Sequence, residues 1–180
     1  MGRARQIALI VAMALVGLAL LWRYANETQG PFQHKVSSEL EIGRAGSEHS
    51  HLSLLMVVNS VPVDFSDTRY QLKSDFVHFE DDDGVYLHKH ATGVTLPYFF
   101  ETVGIKLTID CLTIANREYC VDGENSLRTY LNREMFNDWD RYELHNGDKI
   151  LIDYGTTTPF SIQLELNSIP NLSNDLLRYN

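Results

Sequence analysis

The sequence is poor in positive charge. Its 180 residues include 15 Lys and Arg against 24 Asp and Glu, so the formal net charge is -9 at pH 7. A surface that binds nucleic acid needs clustered basic residues to neutralise phosphates, and this composition excludes nucleic acid as a partner. Apolar residues make up 44% of the chain, which is enough for a hydrophobic core and excludes wholesale disorder.

The sequence also lacks the motifs of several enzyme classes. It has no C-x-x-C pair, no H-E-x-x-H metalloprotease motif and no glycine-rich phosphate loop. A metal-dependent enzyme would need an open coordination position and a general base, for which Glu48 and Glu80 are candidates. Because no catalytic signature accompanies these carboxylates, we expect binding rather than catalysis.

Charge is missing from one stretch near the amino terminus. Residues Ile7 to Trp22 are 16 apolar or small residues, with Arg3 and Arg5 before them and Arg23 after them. A helix over this run is roughly 24 Å long, slightly shorter than a bilayer core of about 30 Å. We predict a retained membrane anchor rather than a cleaved signal peptide, because no small-x-small cleavage site follows. The flanking arginines place the amino terminus in the cytoplasm and the rest of the chain outside.

Composition divides the chain into four parts. Residues 1–25 are predicted to form the transmembrane anchor, and the polar residues 26–47 a linker. Residues 48–168 are predicted to form an extracytoplasmic domain, and residues 169–180 a C-terminal tail. The membrane, reached through residues 7–22, is therefore one predicted partner, and another membrane protein is a second.

Short strands dominate the predicted domain, so its expected class is α+β. A small mixed β-sheet with one packed helix, in a β-grasp-like arrangement, fits the order of strands, helix and further strands. Near the end, Asn146-Gly147 predicts a tight hairpin between a strand at 141–144 and a strand at 149–154.

Capping residues predict the positions of the helices. Thr95 can cap the packed helix, Pro97 suits its first turn, and Gly104 ends it. Thr158-Pro159 repeats the same starting signal, and a second helix is expected to extend to about residue 167.

The two cysteines, Cys111 and Cys120, have the spacing C-x8-C. The intervening residues predict a hairpin whose turn centres on Ala115 and Asn116, which sets the cysteines opposite each other. We predict a structural disulfide, formed in an oxidising compartment, with two free buried thiols as the alternative. Redox catalysis is not indicated, because a resolving cysteine at C-x-x-C spacing is absent.

Histidines carry the functional prediction. Five of the seven lie between residues 49 and 90, as two H-x-H units with a single histidine between them. The five are His49, His51, His78, His88 and His90. On a strand, residues i and i+2 point to the same face, so each H-x-H unit presents two imidazoles together. Neutral imidazole binds zinc or copper(II) well, and we predict that these five residues bind a zinc or copper ion.

The turn between two predicted strands brings His78 close to His88. A three-residue loop over Asp82-Asp83-Gly84, with Gly84 in the left-handed conformation, places His78 directly opposite His88. Opposed side chains have Cβ atoms about 5 Å apart, close enough for two imidazoles to bind one ion. The other face of this hairpin is expected to point toward the core with Val77, Phe79, Val85 and Leu87.

Several alternatives remain open at this stage. Glu48, Glu80 or Asp83 can supply an oxygen ligand or a hydrogen-bond acceptor for a ligating histidine. His145, in the last predicted turn, is expected to be exposed rather than a ligand. The five histidines can also be ordinary surface residues, or a pH-responsive cluster without a metal.

A resemblance to a known family rests on three blocks and a cysteine pair. The blocks are EHSH at 48–51, VHFEDDDGVYLHKHATGVTL at 77–96 and NGDKILIDYG at 146–155, and the pair is Cys111 and Cys120. Over residues 48–168 the chain resembles a family of membrane-anchored, extracytoplasmic, histidine-rich proteins of ammonia-oxidising archaea. The resemblance implies the compartment and the histidine pattern. Some members are described as disulfide isomerases, which the missing C-x-x-C does not support here.

Three classes of function follow from these features. The first is an extracytoplasmic metal-binding module that handles copper or zinc for storage, delivery or structure. The second is a non-catalytic subunit or interaction domain of a membrane complex, in which the histidines are incidental. The third is a metal-dependent enzyme. We expect the first.

Overall fold

The computed structural model describes residues 42–172 without interruption, together with helical positions 2, 13 and 16–19. The chain divides into two compact units, Met1–Leu40 and Glu41–Asn180. All the strands and helices given below belong to the second unit.

Most of the predicted anchor at residues 7–22, and residues 173–180 of the predicted tail, lie outside the described residues. Within the described part of the chain, no helix combines the length and the apolar character needed to traverse a bilayer.

Strands and helices alternate irregularly along residues 50–168. The strands are β1 (Ser50–Val58), β2 (Val61–Pro62), β3 (Val77–His78), β4 (Tyr86–Lys89), β5 (Lys106–Leu107), β6 (Cys111–Ile114), β7 (Arg117–Cys120), β8 (Ser126–Leu131), β9 (Glu134–Met135) and β10 (Lys149–Gly155). The helices are α1 (Leu96–Thr102), α2 (Pro159–Ser168) and a 3-10 turn at Trp139–Arg141.

The main sheet is mixed, and the predicted α+β class is confirmed. Its strand order is β3-β4-β1-β10-β8-β9, with β2 paired to the end of β1. The two longest strands, β1 and β10, are parallel neighbours in the centre, and the other pairs are antiparallel. A nearly continuous apolar run such as Leu52 to Val58 is typical of a strand buried on both faces. A second sheet contains β5, β6 and β7.

Alternating residues of β1 contribute to two different cores. Leu52, Leu54 and Met56 belong to the larger buried cluster, which includes the aromatic residues of α1. On the other face, Leu55 and Val57 belong with α2 to a smaller cluster. This second face continues toward the start of β1, where period-two alternation places His51 on the same side as Leu55.

Both helices begin as their capping residues predict. The Thr95 hydroxyl accepts a hydrogen bond from Tyr98 N at 3.3 Å, and Gly104 follows α1 with a φ of +69°. Thr158 and Ser161 form a reciprocal capping box at the start of α2. The domain therefore has one helix on each face of the sheet, where a single packed helix was expected for the core.

The predicted hairpin between residues 141–144 and 149–154 is wrong. β10 pairs with β1 and β8, and Trp139–Arg141 is a 3-10 turn. The backbone of the predicted strand bonds instead to the start of α1, since Leu144 N donates to Val94 O at 2.9 Å. Asn146-Gly147 does lie in a turn, but long-range pairing decides which strands flank it.

The turn after β3 also differs from its prediction. Asp81 and Asp82 have positive φ values of 58° and 56°, and Asp83 N donates to Glu80 O at 3.0 Å. Gly84 is needed for a different reason, because a Cβ there would lie 2.5 Å from Ser66 N. The predicted turn and the observed turn give the same register, in which His78 lies opposite His88. Of the four residues expected on the core face of this hairpin, Val85 is the exception, since it is 37% exposed.

The predicted disulfide is present. Cys111 and Cys120 are paired across β6 and β7 and are bonded through their sulfurs. Ala115 and Asn116 occupy the turn with φ values of 49° and 63°, which is the turn centre that the sequence predicts.

Two carboxylates, the buried Asp153 of β10 and the half-buried Glu165 of α2, lie on the face of the sheet that α2 covers. Asp153 is 1% exposed and accepts hydrogen bonds from Thr157 Oγ1 at 2.7 Å and Arg128 Nη1 at 3.2 Å. Among the described residues, neither Asp153 Oδ1 nor Glu165 Oε2 has a hydrogen-bond partner. Burial and the nearby charge of Asp153 raise the pKa of Glu165 to about 7, although Arg128 opposes the shift. Ionisation of Glu165 near neutral pH therefore places a second negative charge close to Asp153.

We predict that Glu165→Gln stabilises the protein in mild alkali. The pKa of Glu165 is higher in the folded state than its ordinary value of 4.5, so its contribution to stability is lost as pH rises through about 7. The variant should therefore unfold at a higher temperature than the wild type at pH 8. The difference should shrink toward pH 5. Thermal unfolding at both pH values checks this.

The exposed Glu134→Gln on β9 is the matched control and should unfold like the wild type at both pH values. A stability difference for Glu165→Gln that is the same at pH 5 and pH 8 contradicts the interpretation.

Candidate metal centre

Three histidines lie side by side across three neighbouring strands. His51 of β1 is paired with His88 of β4, and His88 is paired in turn with His78 of β3. The predicted register between His78 and His88 is confirmed. The ring centroids are 4.6 Å apart for His51 and His88, and 6.3 Å apart for His78 and His88. The pairing of His51 with His88 was not predicted.

The other two histidines form a second row on the same face. His49 and His90 each lie two residues from a member of the first row, and their ring centroids are 4.9 Å apart. His49 is also 4.8 Å from His51, and His90 is 4.9 Å from His78. All five predicted residues are therefore brought together; we refer to His49, His51, His78, His88 and His90 as the histidine cluster.

Donor atoms converge most closely at three of these residues. His49, His51 and His88 each offer a ring nitrogen, and the three nitrogens lie within 4.8 Å of one another. The Nε2 atoms of His49 and His51 are 3.3 Å apart. Two ligands that lie about 2.0–2.1 Å from one tetrahedral zinc are separated by about 3.3 Å. The Nε2 atoms of His49 and His51 therefore have the spacing of two ligands of one ion.

The cluster is partly buried and opens to solvent on one side. His51 is 2% exposed, and the side chains of His78 and His88 are mostly buried. His49, which precedes β1, is exposed. An ion can therefore reach the cluster from the side of His49 while the other rings hold it in a region of reduced solvent access.

Burial favours the neutral form of two imidazoles, those of His88 and His90. Burial lowers the pKa of His88, and the neighbouring histidines His51, His78 and His90 lower it further, although Glu80 raises it. The pKa of His90 is lowered by burial and by the adjacent His78 and His49. A neutral ring has a lone pair for a metal ion, so these shifts favour the form that can bind.

Of the three carboxylates considered as ligands, only Glu80 contacts the histidine cluster. Its Oε1 lies 3.2 Å from His88 Nδ1, and its Oε2 lies 3.3 Å from His78 Nε2. Asp83 instead accepts hydrogen bonds from Val85 N and Tyr86 N at 2.6 and 3.0 Å, which fixes the turn. Glu48 pairs with a lysine on the opposite face of β4.

That lysine, Lys89, is a positioning residue that the sequence does not reveal. It lies between His88 and His90 in β4 but points to the core face and is 1% exposed. Its Nζ lies 2.7 Å from Glu48 Oε2 and 3.1 Å from Glu143 Oε1, and donates to Leu144 O at 2.7 Å.

By binding Glu48, Lys89 fixes the segment that leads into His49 and His51. A lysine is rarely buried without such partners. Because the partners of Lys89 come from distant segments of the chain, no local sequence pattern distinguishes it from a surface lysine.

His145 has the exposed position expected for it. Its side chain is 62% exposed, and its Nδ1 lies 3.3 Å from the hydroxyl of Tyr142. It therefore provides a natural control for experiments on the other histidines.

We predict that Lys89→Ala destabilises the domain by about 2 kcal/mol, because the change removes a buried side chain together with its contacts to Glu48, Glu143 and the Leu144 carbonyl. It should also weaken metal binding, since Glu48 would no longer be held beside His49. Urea unfolding and zinc titration measure the two effects.

The exposed Lys106→Ala in β5 serves as the control and should change stability by less than about 0.5 kcal/mol. If Lys89→Ala unfolds at the same urea concentration as the wild type, Lys89 has no such structural role.

Comparisons with known proteins found no relative that bears on this site. No protein-family model, no curated protein and no solved structure matches the chain. What the site can bind must therefore be inferred from its own donor atoms and their surroundings.

Proposed function

We propose that this domain binds a zinc or copper(II) ion through the histidine cluster. The observation that carries the proposal is the convergence of five imidazoles, three in adjacent strands and two directly beside them, with each ring within 5 Å of another ring in the cluster. Crowded imidazoles repel each other when protonated, and a shared metal ion is a direct way to stabilise them together. The proposed role is storage, delivery or structural use of the metal.

The donor chemistry favours zinc and copper(II) over copper(I). Imidazole nitrogens and a carboxylate suit borderline divalent ions, whereas copper(I) prefers sulfur. Both cysteines are joined in a disulfide and offer no thiolate. Met56 is buried in the core and Met135 lies in β9, at the far edge of the sheet from β3.

We also propose that the domain lies on the outer face of a membrane, anchored through residues 7–22. The disulfide supports this compartment, because such bonds persist mainly outside the cytoplasm. The resemblance to histidine-rich, membrane-anchored archaeal proteins supports the same location. A membrane-protein partner that donates or accepts the ion would fit this placement.

A β-grasp-like fold is the finer description that we propose for the domain. The support is topological, since the first and last long strands, β1 and β10, are parallel neighbours at the centre of the sheet. The α1 helix lies between them in sequence and contributes to the core on one face.

Metal analysis of the purified protein tests the proposed function. We expect zinc or copper(II) to bind tightly, and the double variant His88→Ala/His90→Ala to lose that binding. Removal of a residue that only hydrogen-bonds to a metal ligand weakens metal affinity by roughly 10- to 100-fold. The double variant should lose more affinity than that, because it removes two metal ligands themselves. Equilibrium dialysis followed by metal analysis gives the affinity.

The exposed His145→Ala is the matched control and should bind like the wild type. A wild-type protein that takes up no zinc and no copper(II) would exclude the metal-binding role and favour the interaction-subunit alternative.

Acid should weaken metal binding. Protons compete with the metal ion for the ligand nitrogens, and the pKa of an unperturbed histidine is about 6.5. Because burial lowers the pKa of His88 and His90, we expect the affinity to hold at pH 6.5 and to fall steeply below about pH 6. Zinc titrations at pH 7.5, 6.5 and 5.5 check this. An affinity that does not change over this range would mean that the histidines are not the ligands.

A further inference from the structure

The first residues of β1 have a turn, rather than a strand, along one edge. The ladder between β1 and β10 begins where Ser53 pairs with Lys149, so His51 lies two residues outside it. On this edge the main chain of His51 contacts the turn at Asn146-Gly147. Gly147 N donates to His51 O at 2.8 Å, and Asn146 Oδ1 accepts from His51 N at 3.0 Å. A side-chain amide oxygen thus takes the place of the carbonyl oxygen that a neighbouring strand would supply.

The turn itself is held in place by Asp148, which is 5% exposed. Its Oδ2 accepts hydrogen bonds from His145 N at 2.8 Å and from the Tyr142 hydroxyl at 2.9 Å. Its main-chain oxygen accepts from Ser53 N at 2.8 Å, which ties the turn to β1. The side chain of Asn146 is therefore presented to the strand by a fixed piece of backbone.

The main chain of His51 is in this way held on both edges, since its other edge is paired with His88 of β4. His51 is 2% exposed, so its N–H is shielded from water. A buried N–H that loses its acceptor costs free energy. Without the oxygen of Asn146, the start of β1 would therefore shift toward another acceptor or open to solvent.

Such a shift would matter for metal binding. The Nε2 atoms of His49 and His51 are 3.3 Å apart, and the rings of His51 and His88 are 4.6 Å apart. Metal–ligand distances vary by only about 0.2 Å from their usual values. A small movement of the strand end would carry the imidazole of His51 out of reach of an ion shared with its neighbours.

We propose that Asn146 is a positioning residue of the metal centre, whose side-chain oxygen fixes the main chain of His51 where β10 does not extend. This inference rests on the proposed function, in which His51 is a metal ligand. The Asn-Gly motif, which predicts a hairpin that the fold does not contain, thereby has a role in the site.

Hydrogen exchange in the metal-free protein tests the contact itself. Asn146→Ala removes the acceptor, and the residue of this turn that takes the left-handed conformation is Gly147, with a φ of +87°. The His51 amide should exchange at least about tenfold faster in this variant than in the wild type. Asn146→Asp keeps an acceptor oxygen and should stay within about twofold of the wild type. A His51 amide that is equally protected in Asn146→Ala overturns the inference.

A double-mutant cycle of zinc affinities tests whether Asn146 acts through His51. Asn146→Ala should weaken zinc binding by about tenfold, the lower end of the loss expected for a residue that holds a metal ligand. In the His51→Ala background the same change should cost less than about twofold, because the ligand that it positions is gone. An equal loss in both backgrounds indicates a general structural effect and overturns the inference.

Asn146→Asp gives a second measurement that does not depend on zinc binding by His51→Ala. It should bind zinc far more tightly than Asn146→Ala, and an equal loss in the two variants overturns the inference.

Asn167→Ala, at an exposed position of α2, is the matched control. It removes the same type of side chain and a hydrogen bond of 2.9 Å from Arg133 Nη2. It should match the wild type in zinc affinity and in exchange of the His51 amide. A wild type that binds no zinc overturns the proposed function, whereas the exchange experiment still decides whether Asn146 holds the main chain of His51.

Discussion

The register between β1, β4 and β3 is the constraint on which the site depends. Because side chains alternate along a strand, one register places His51, His88 and His78 in a row on one face. The same register buries Leu87 on the opposite face. A slip of one residue would move the histidines into the core and the apolar side chains out to solvent. The hydrophobic core therefore fixes the arrangement of the imidazoles without contacting an ion.

Lys89 strengthens this register from the core side. Its side chain is almost fully buried, which is costly for a charge, and the cost is offset by two carboxylates and a carbonyl oxygen. These partners come from the segment before β1 and from residues 143–144. Lys89 can reach them only when β4 is in its observed register. The ion pair thus links the position of the histidines to the packing of the other side of the sheet.

Local signals in the sequence predicted several elements correctly. The caps at Thr95 and Thr158, the turn at Ala115-Asn116 with its disulfide, and the register of His78 with His88 all depend on residues close together in the chain. The last prediction survived an error in the turn conformation, because both turns enclose the same number of residues. Local patterns of this kind determine hairpins and helix ends.

Contacts between segments that are distant in the chain could not be predicted from local signals. Nothing in the chain indicates that β1 pairs with β4, so the contact between His51 and His88 could not be predicted. The Asn146-Gly147 turn indicated a hairpin. Instead, β10 lies between β1 and β8 in the centre of the sheet, where nearly all of its side chains are buried. The role of Lys89 was hidden for the same reason, since its partners come from distant segments.

X-ray absorption spectroscopy of the zinc-loaded protein measures directly whether the histidine cluster binds the ion. We expect a first shell of nitrogen and oxygen at about 2.0–2.1 Å, with no sulfur and with the outer-shell scattering of several imidazole rings. A first shell dominated by carboxylate or water oxygen, without that imidazole scattering, would show that the converging histidines are not the metal ligands.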